Sequence, residues 1–253
     1  MIELIAVSKT YAGSSVKAVE GLSLKVSDGE IFGFLGPNGA GKTTSLKILT
    51  GVLKADSGKA LIDGTDVSLD PIAAKSRIGY VSDNPEAFAK LKAVEYLNFI
   101  ADVYGLNSEQ RQERINDYSG RFEIRDALSS SLASFSRGMK QKLFIVASLL
   151  PDPQNWVLDE PMVGLDPKAA FAIKSIMRNR TDSGKTVFFS THVMEVAERL
   201  CDKLAIINNG KIIFTGSFQE LKKLEGEDTS LETLFLELTE KSGKLAGNGD
   251  AVL

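Results

Sequence analysis

Residues 36–44 read GPNGAGKTT, and they fit the pattern G-x-x-x-x-G-K-[ST] with Gly36, Gly41, Lys42 and Thr43 in the fixed places. A glycine-rich turn is common by itself, so its neighbours decide its meaning. The apolar run Ile31-Phe32-Gly33-Phe34-Leu35 precedes it as a buried strand, and Leu46, Ile48 and Leu49 follow at helical spacing before Gly51 closes the helix. Strand, loop and helix is the order a phosphate-binding loop needs. Its glycines let backbone N–H groups converge on phosphate oxygens at a helix N-terminus, with Pro37, Asn38, Gly39, Ala40 and Thr44 completing the cradle. Lys42 supplies a cation, and the Thr43 hydroxyl can ligate Mg²⁺.

The rest of the chain narrows the class. At 253 residues and 43% hydrophobic content it can bury one large α/β core. A formal charge of −3 gives no broad basic field, so nucleic acid is not an expected partner. Cys201 is the single cysteine, which excludes an intramolecular disulfide and any multi-cysteine metal site; it reads as a core thiol. No run approaches the length of a spanning helix, and the start alternates like a strand, so a cytoplasmic protein is expected.

Along the chain, residues 1–30 read as antiparallel β, with Ile2, Leu4 and Ala6 alternating, then Leu22, Leu24 and Val26. Tyr11 falls in the loop between them. After the phosphate-loop helix, β structure is expected to continue through Lys59–Ile62 to Ile78–Val81. From about 86 to 150 the pattern turns helical: Val94, Leu97, Ile100, Ala101 and Tyr104 share a face, Gly105 stops it, and Asn107 with Gln110 forms a capping box. A helix beginning near Gly138 ends at Pro151. Trp156-Val157-Leu158 is a short buried strand, Asp166-Pro167 opens another helix, and Thr186–Ser190 is an apolar run suited to a parallel strand covered on both faces. Asn209-Gly210 marks a hairpin, Ser217 with Glu220 caps a short helix, and Leu231, Leu234 and Leu238 mark a last amphipathic one. The sum is an α/β domain over 1–240, with a mainly parallel core sheet, an N-terminal antiparallel β subdomain and an inserted helical subdomain at about 86–150. Residues 241–253 read as a disordered tail.

A phosphate loop needs a carboxylate for its metal and a group to activate water. Asp159 and Glu160 end an apolar strand, and the carboxyl ends of parallel strands are where ligands bind. Asp159 is assigned to Mg²⁺ and Glu160 to the attacking water. His192 follows the next such strand and is assigned to the terminal phosphate.

The ordered motifs GPNGAGKTT, FSRGMKQKL from Phe135, WVLDEP from Trp156, GLDP from Gly164 and STH from Ser190 resemble the ATPase subunit of an ATP-binding cassette (ABC) transporter, over residues 1 to about 240. The resemblance implies a P-loop NTPase of ABC type that hydrolyses ATP with Mg²⁺. It implies that Tyr11 stacks on adenine, and that the signature segment Ser136, Arg137, Gly138 and Met139 reaches the phosphate held by a second ATPase subunit, identical or not. It places Asp166 at the same dimer interface. The family's usual LSGGQ is here Phe135-Ser136-Arg137-Gly138-Met139, which keeps the serine and the second glycine and adds a cation. Where the family has a metal-touching glutamine, this chain has Ser82-Asp83-Asn84; Asp83 is assigned there, with Asn84 the alternative at a shift of one.

By this resemblance the partners are transmembrane permease subunits on separate chains, and the protein sits on the inner face of the cell membrane. The segment Ser230–Thr239 resembles the tail of bacterial exporter-type cassettes. The competing reading is a soluble cassette ATPase acting in translation or DNA repair. It lacks the long coiled coil or second cassette that such chains carry.

Overall fold

The computed structural model describes residues 1–82, 88, 90–225 and 233–235. Two sheets face one another across a helix. The smaller is antiparallel and comprises β1 (Ile2–Thr10), β2 (Lys17–Val26), β4 (Ser57–Ile62) and β5 (Thr65–Asp66), in the order β2-β1-β4-β5. The larger comprises β3 (Ile31–Leu35), β6 (Ile78–Val81), β7 (Asn155–Asp159), β8 (Thr186–Thr191), β9 (Lys203–Asn208) and β10 (Lys211–Gly216), in the order β10-β9-β3-β8-β7-β6. Every pair in it is parallel except the β9–β10 hairpin. That hairpin turns at Asn209 and Gly210, both at positive φ (47° and 76°), as the Asn-Gly pair requires.

The central strands are apolar on both sides because both sides are covered. Phe32 and Phe34 on β3, Val157 on β7 and Phe188 on β8 point toward α1 (Lys42–Leu49) and the small sheet, joining Ile2, Leu4, Leu22, Leu24, Leu46 and Leu49. Trp156, Leu158, Val187 and Phe189 point the other way, onto α5 (Arg137–Leu149) and α6 (Pro167–Asp182). The same core runs on into α3 (Ala93–Val103) and α4 (Ser108–Arg121) through Leu97, Ile115 and Phe122. Trp156 is fully buried, and its indole N–H donates to Ser148 Oγ at 2.9 Å, which satisfies its one polar atom. Gly33 leaves room for Cys201: a Cβ there would lie 2.6 Å from the sulfur. Burial pushes that thiol well above its ordinary value, so Cys201 is a packing residue.

Two expectations need correction, and one helix lies beyond them. Ala6 does not continue the inward alternation of β1. It is exposed at φ 49°, the pairing shifts register between Leu4 and Val7, and Val7 takes the buried place. The stretch before β6 is not all β: α2 (Pro71–Lys75) intervenes, with Asp70 Oδ1 accepting from Ala73 N at 3.1 Å and Pro71 at the first helical position. A further helix, α7 (Met194–Leu200), follows His192, with Ala197 and Leu200 buried. The capping boxes hold: Gln110 N donates to Asn107 Oδ1 at 2.9 Å, and at α8 (Phe218–Glu225) Glu220 N donates to Ser217 Oγ at 3.2 Å. Of the last expected helix, Thr233–Phe235 are described and helical, with Leu234 buried; Leu231, Leu238 and the tail lie outside the described residues.

Candidate functional site

The loop after β3 is wedged between two strands. A Cβ on Gly36 would lie 2.5 Å from the Ile207 carbonyl, and one on Gly41 would lie 2.4 Å from the Ala18 carbonyl. Gly41 also sits at φ 107°, so two independent constraints require glycine there. The chain then enters α1 with Gly41 as N-cap, and no side chain caps the first turn. Its leading N–H groups therefore carry the positive end of the helix into the loop. Lys42 is nearly buried and folds back over the loop, donating to the carbonyls of Gly36 (2.6 Å) and Pro37 (3.3 Å).

The neighbouring strand ends deliver acid groups to the same place. The register sets Asp159 of β7 opposite Ser190 of β8, and Leu35 of β3 opposite Thr191. Asp159 is fully buried, and Ser190 Oγ donates to its Oδ1 at 2.5 Å. The same Ser190 oxygen accepts from Glu160 N at 3.0 Å. Glu160 adopts φ 48°, a left-handed conformation that costs a non-glycine residue on the order of 1–3 kcal/mol. This turns its side chain back over the loop, where Oε1 lies 3.0 Å from His192 Nδ1 and 3.5 Å from Lys42 Nζ. A carboxylate only accepts, so Nδ1 carries the proton in this contact.

Tyr11 closes the other side, its hydroxyl 3.2 Å from Thr44 Oγ1. Together with Pro37, Asn38, Gly39, Gly41, Lys42, Thr43 and Glu160 it lines a cavity of about 360 Å³. The sequence-assigned loop residues, Tyr11, Glu160 and His192 are thus brought together. Asp83 and Asn84 lie outside the described residues. The oxygen donors fit Mg²⁺: Thr43 offers a hydroxyl and Asp159 a carboxylate. Among the described residues no three His, Cys, Asp or Glu side chains form a closed metal cage. Mg²⁺ sites beside bound nucleotides commonly draw only one or two oxygens from protein, with phosphate and water completing the shell, and such a site would not need a cage.

Ser136, Arg137, Gly138 and Met139 do not line this cavity. They form the start of α5, where Ser136 is the N-cap and its Oγ accepts from Met139 N at 3.2 Å. Asp166 caps α6, accepting from Ala169 N at 2.9 Å, and also pairs with Lys142 Nζ at 2.5 Å. The Lys142 ammonium, aided by the Ala169 N–H, holds the Asp166 carboxyl down at about 2. Sequence reasoning gave no role to Ser190 or to Lys142. Ser190 lay inside a quoted motif, and a strand-end serine opposite a strand-end carboxylate was the available signal. Lys142 carried none.

Such a loop, fed by a parallel strand and faced by carboxylates and a histidine from adjacent strand ends, defines a P-loop nucleotide-binding protein. Its relatives say which kind. The sequence profile of the ABC transporter family matches residues 19–163, more than half of the chain. The ABC transporter ATP-binding protein NatA of Bacillus subtilis is 35% identical over 89% of this chain and 93% of its own length. EcsA of the same organism is 32% identical over 95% and 98%. A solved ATP-binding subunit of an ABC transporter superposes with a TM-score of 0.89 at 31% identity, covering 94% of this chain and 99% of its own. A bacterial ABC transporter cassette solved as a dimer superposes with a TM-score of 0.78 at 25% identity, covering 86% and 98%. The chain belongs to the ABC transporter family, and its fold is that of the family's ATPase cassette. It spans a little under two thirds of the length of two cyanobacterial relatives, at 63% and 64%.

Proposed function

We propose that the chain binds ATP with Mg²⁺, hydrolyses it, and powers transport through transmembrane subunits on separate chains. The observation that carries this is the meeting of Lys42 Nζ and His192 Nδ1 on one oxygen of Glu160, at 3.5 and 3.0 Å, over the glycine loop. Lys42 is placed to shift from the loop carbonyls to phosphate oxygens. Mg²⁺ held by Thr43 and Asp159 would neutralise charge on the phosphates. Glu160 orients and deprotonates the attacking water, Lys42 and His192 steady its carboxylate, and His192 also serves the terminal phosphate. Tyr11 stacks on the adenine.

The start of α5 serves a second subunit. Ser136, Arg137, Gly138 and Met139, with Asp166 beside them, meet the phosphate in the partner's cleft, so two ATP molecules hold two cassettes together. The second cassette is another copy of this chain or a related subunit. A dimeric bacterial cassette among the solved relatives supports this arrangement. Contact with the membrane subunits is assigned to the face around α2 and α3, where Val52, Ile72, Phe99 and Val103 are exposed. A cavity of about 230 Å³ lined by Tyr80, Ile100, Tyr104 and Phe144 supports it. No helix among the described residues is long and apolar enough to cross a membrane.

Export is the favoured direction. The daunorubicin/doxorubicin resistance protein DrrA of Streptomyces peucetius, 34% identical over 90% of this chain, supports it by its name. The relatives favour transport over a role in translation or DNA repair. The deciding experiment is steady-state phosphate release by wild type and Glu160→Gln, beside nucleotide binding by both. Binding retained with turnover lost supports the reading, and unchanged turnover refutes the Glu160 assignment.

A further inference from the structure

Three contacts fasten the first two turns of α5 to the loop that follows Glu160. Gly138 packs so closely on the loop that a Cβ would lie 2.6 Å from the Gly164 carbonyl oxygen. Gln141 Nε2, in the interior, donates to the Pro161 carbonyl at 3.4 Å. Lys142 Nζ pairs with Asp166 Oδ2 at 2.5 Å, while the other oxygen of that carboxylate caps α6. Lys142 reaches this carboxylate from a side chain that is only 13% exposed, so its position is set by packing as well as by charge. The loop is thereby held at its beginning, middle and end, and the residue at its head is Glu160 in a strained backbone conformation.

We propose that Lys142 is a positioning residue for hydrolysis, joining the exposed end of α5 to Glu160 through the Pro161–Asp166 loop. This rests on the reading of Glu160 and of the α5 end given above, and it adds a consequence. A phosphate engaged by Ser136 and Gly138 pushes on the same rigid piece that aims this chain's own Glu160. Occupancy of the partner's cleft is therefore felt in this one, and Lys142 touches neither nucleotide. Geometry matters here at the scale of an ångström, because such displacement of a reacting group costs up to about 100-fold in rate.

The test compares wild type, Lys142→Ala and Lys142→Arg as full-length chains, measuring kcat and KM for MgATP, the Hill coefficient, and the thermal midpoint. Lys142→Ala is expected to lower kcat about 10- to 100-fold with nucleotide affinity nearly unchanged, and to flatten the ATP dependence toward a Hill coefficient of about one. Lys142→Arg, which keeps the cation, is expected to recover most of the rate. Equal kcat in Lys142→Ala and wild type overturns the proposal, as does an arginine variant no better than the alanine one, or a rate loss that vanishes when variants are compared at equal distance below their midpoints. To separate this from failure of the underlying reading, Lys142→Ala is also placed in the Glu160→Gln background. If Glu160→Gln alone does not dimerise with ATP, the dimer reading falls. If it dimerises and the double variant does so too, while Lys142→Ala alone loses kcat, Lys142 acts on Glu160; if the double variant fails to dimerise where Glu160→Gln succeeds, Lys142 serves the interface instead and the proposal falls. A double variant that dimerises while the single variant keeps full kcat and Hill coefficient overturns the proposal.

Discussion

The glycine-loop cleft and the exposed end of α5 both present a helix N-terminus, yet they are finished differently. At the cleft the N-cap is Gly41, which leaves the first turn without a side-chain cap, and Lys42, Glu160 and His192 close in from the same chain. At α5 the N-cap Ser136 already takes one N–H, and the neighbouring Arg137 makes no ion pair among the described residues. The first is a nearly complete phosphate site with an aromatic wall. The second is an exposed helix end that carries a cation, Arg137, and lies outside the loop cavity. One chain thus carries two unlike halves, and the economical account is that each half completes the other across a dimer.

If the two regions divide their work in this way, substitutions in them should fail differently. The largest effect is expected from Glu160→Gln, which should lower phosphate release by roughly 10²–10⁴-fold while leaving nucleotide binding intact. Ser136→Glu places a negative charge against the partner's phosphate; turnover should fall about 10²–10³-fold, with equilibrium binding of a fluorescent nucleotide to the monomer unaffected. A loss of monomer binding in that variant would erase the distinction between the two regions. Tyr11→Ala should show the opposite pattern, weakening nucleotide affinity about tenfold through lost stacking, with kcat at saturation little changed.

The smallest effect concerns Asp166. Its folded carboxyl is held at about 2, below the ordinary value of 3.8, so its pair with Lys142 stabilises the fold above about pH 4 and loses that contribution as pH falls toward 2. The thermal midpoints of wild type and Asp166→Asn, which keeps a good N-cap, should differ by a small constant amount from pH 7 to pH 4 and converge by pH 2. A difference that grows on acidification would refute the ion pair.

Much of this was legible from the sequence because each signal was local. The order Ile31–Leu35, glycine loop, Leu46–Leu49 fixed the cleft, and strand-end position alone drew Glu160 and His192 toward it. Where reading failed, it failed for physical reasons of two kinds. Asp70-Pro71 carries the same cap-and-proline signal as Asp166-Pro167, but it opens only one and a half turns of helix and was absorbed into the surrounding β pattern. Ala6 could not be seen as a bulge, since alternation is read one strand at a time and a bulge is a property of the pair. The clasp of Lys142 on Asp166 joins residues 24 positions apart on different helices, and nothing in either motif specifies it.

Sedimentation of the Glu160→Gln chain with and without saturating MgATP tests the central claim most directly. A monomer without nucleotide that becomes a dimer with it, and returns to monomer when Ser136→Glu is added, is the predicted result. A chain that stays monomeric at saturating ATP, both alone and with its membrane subunits present, would contradict it.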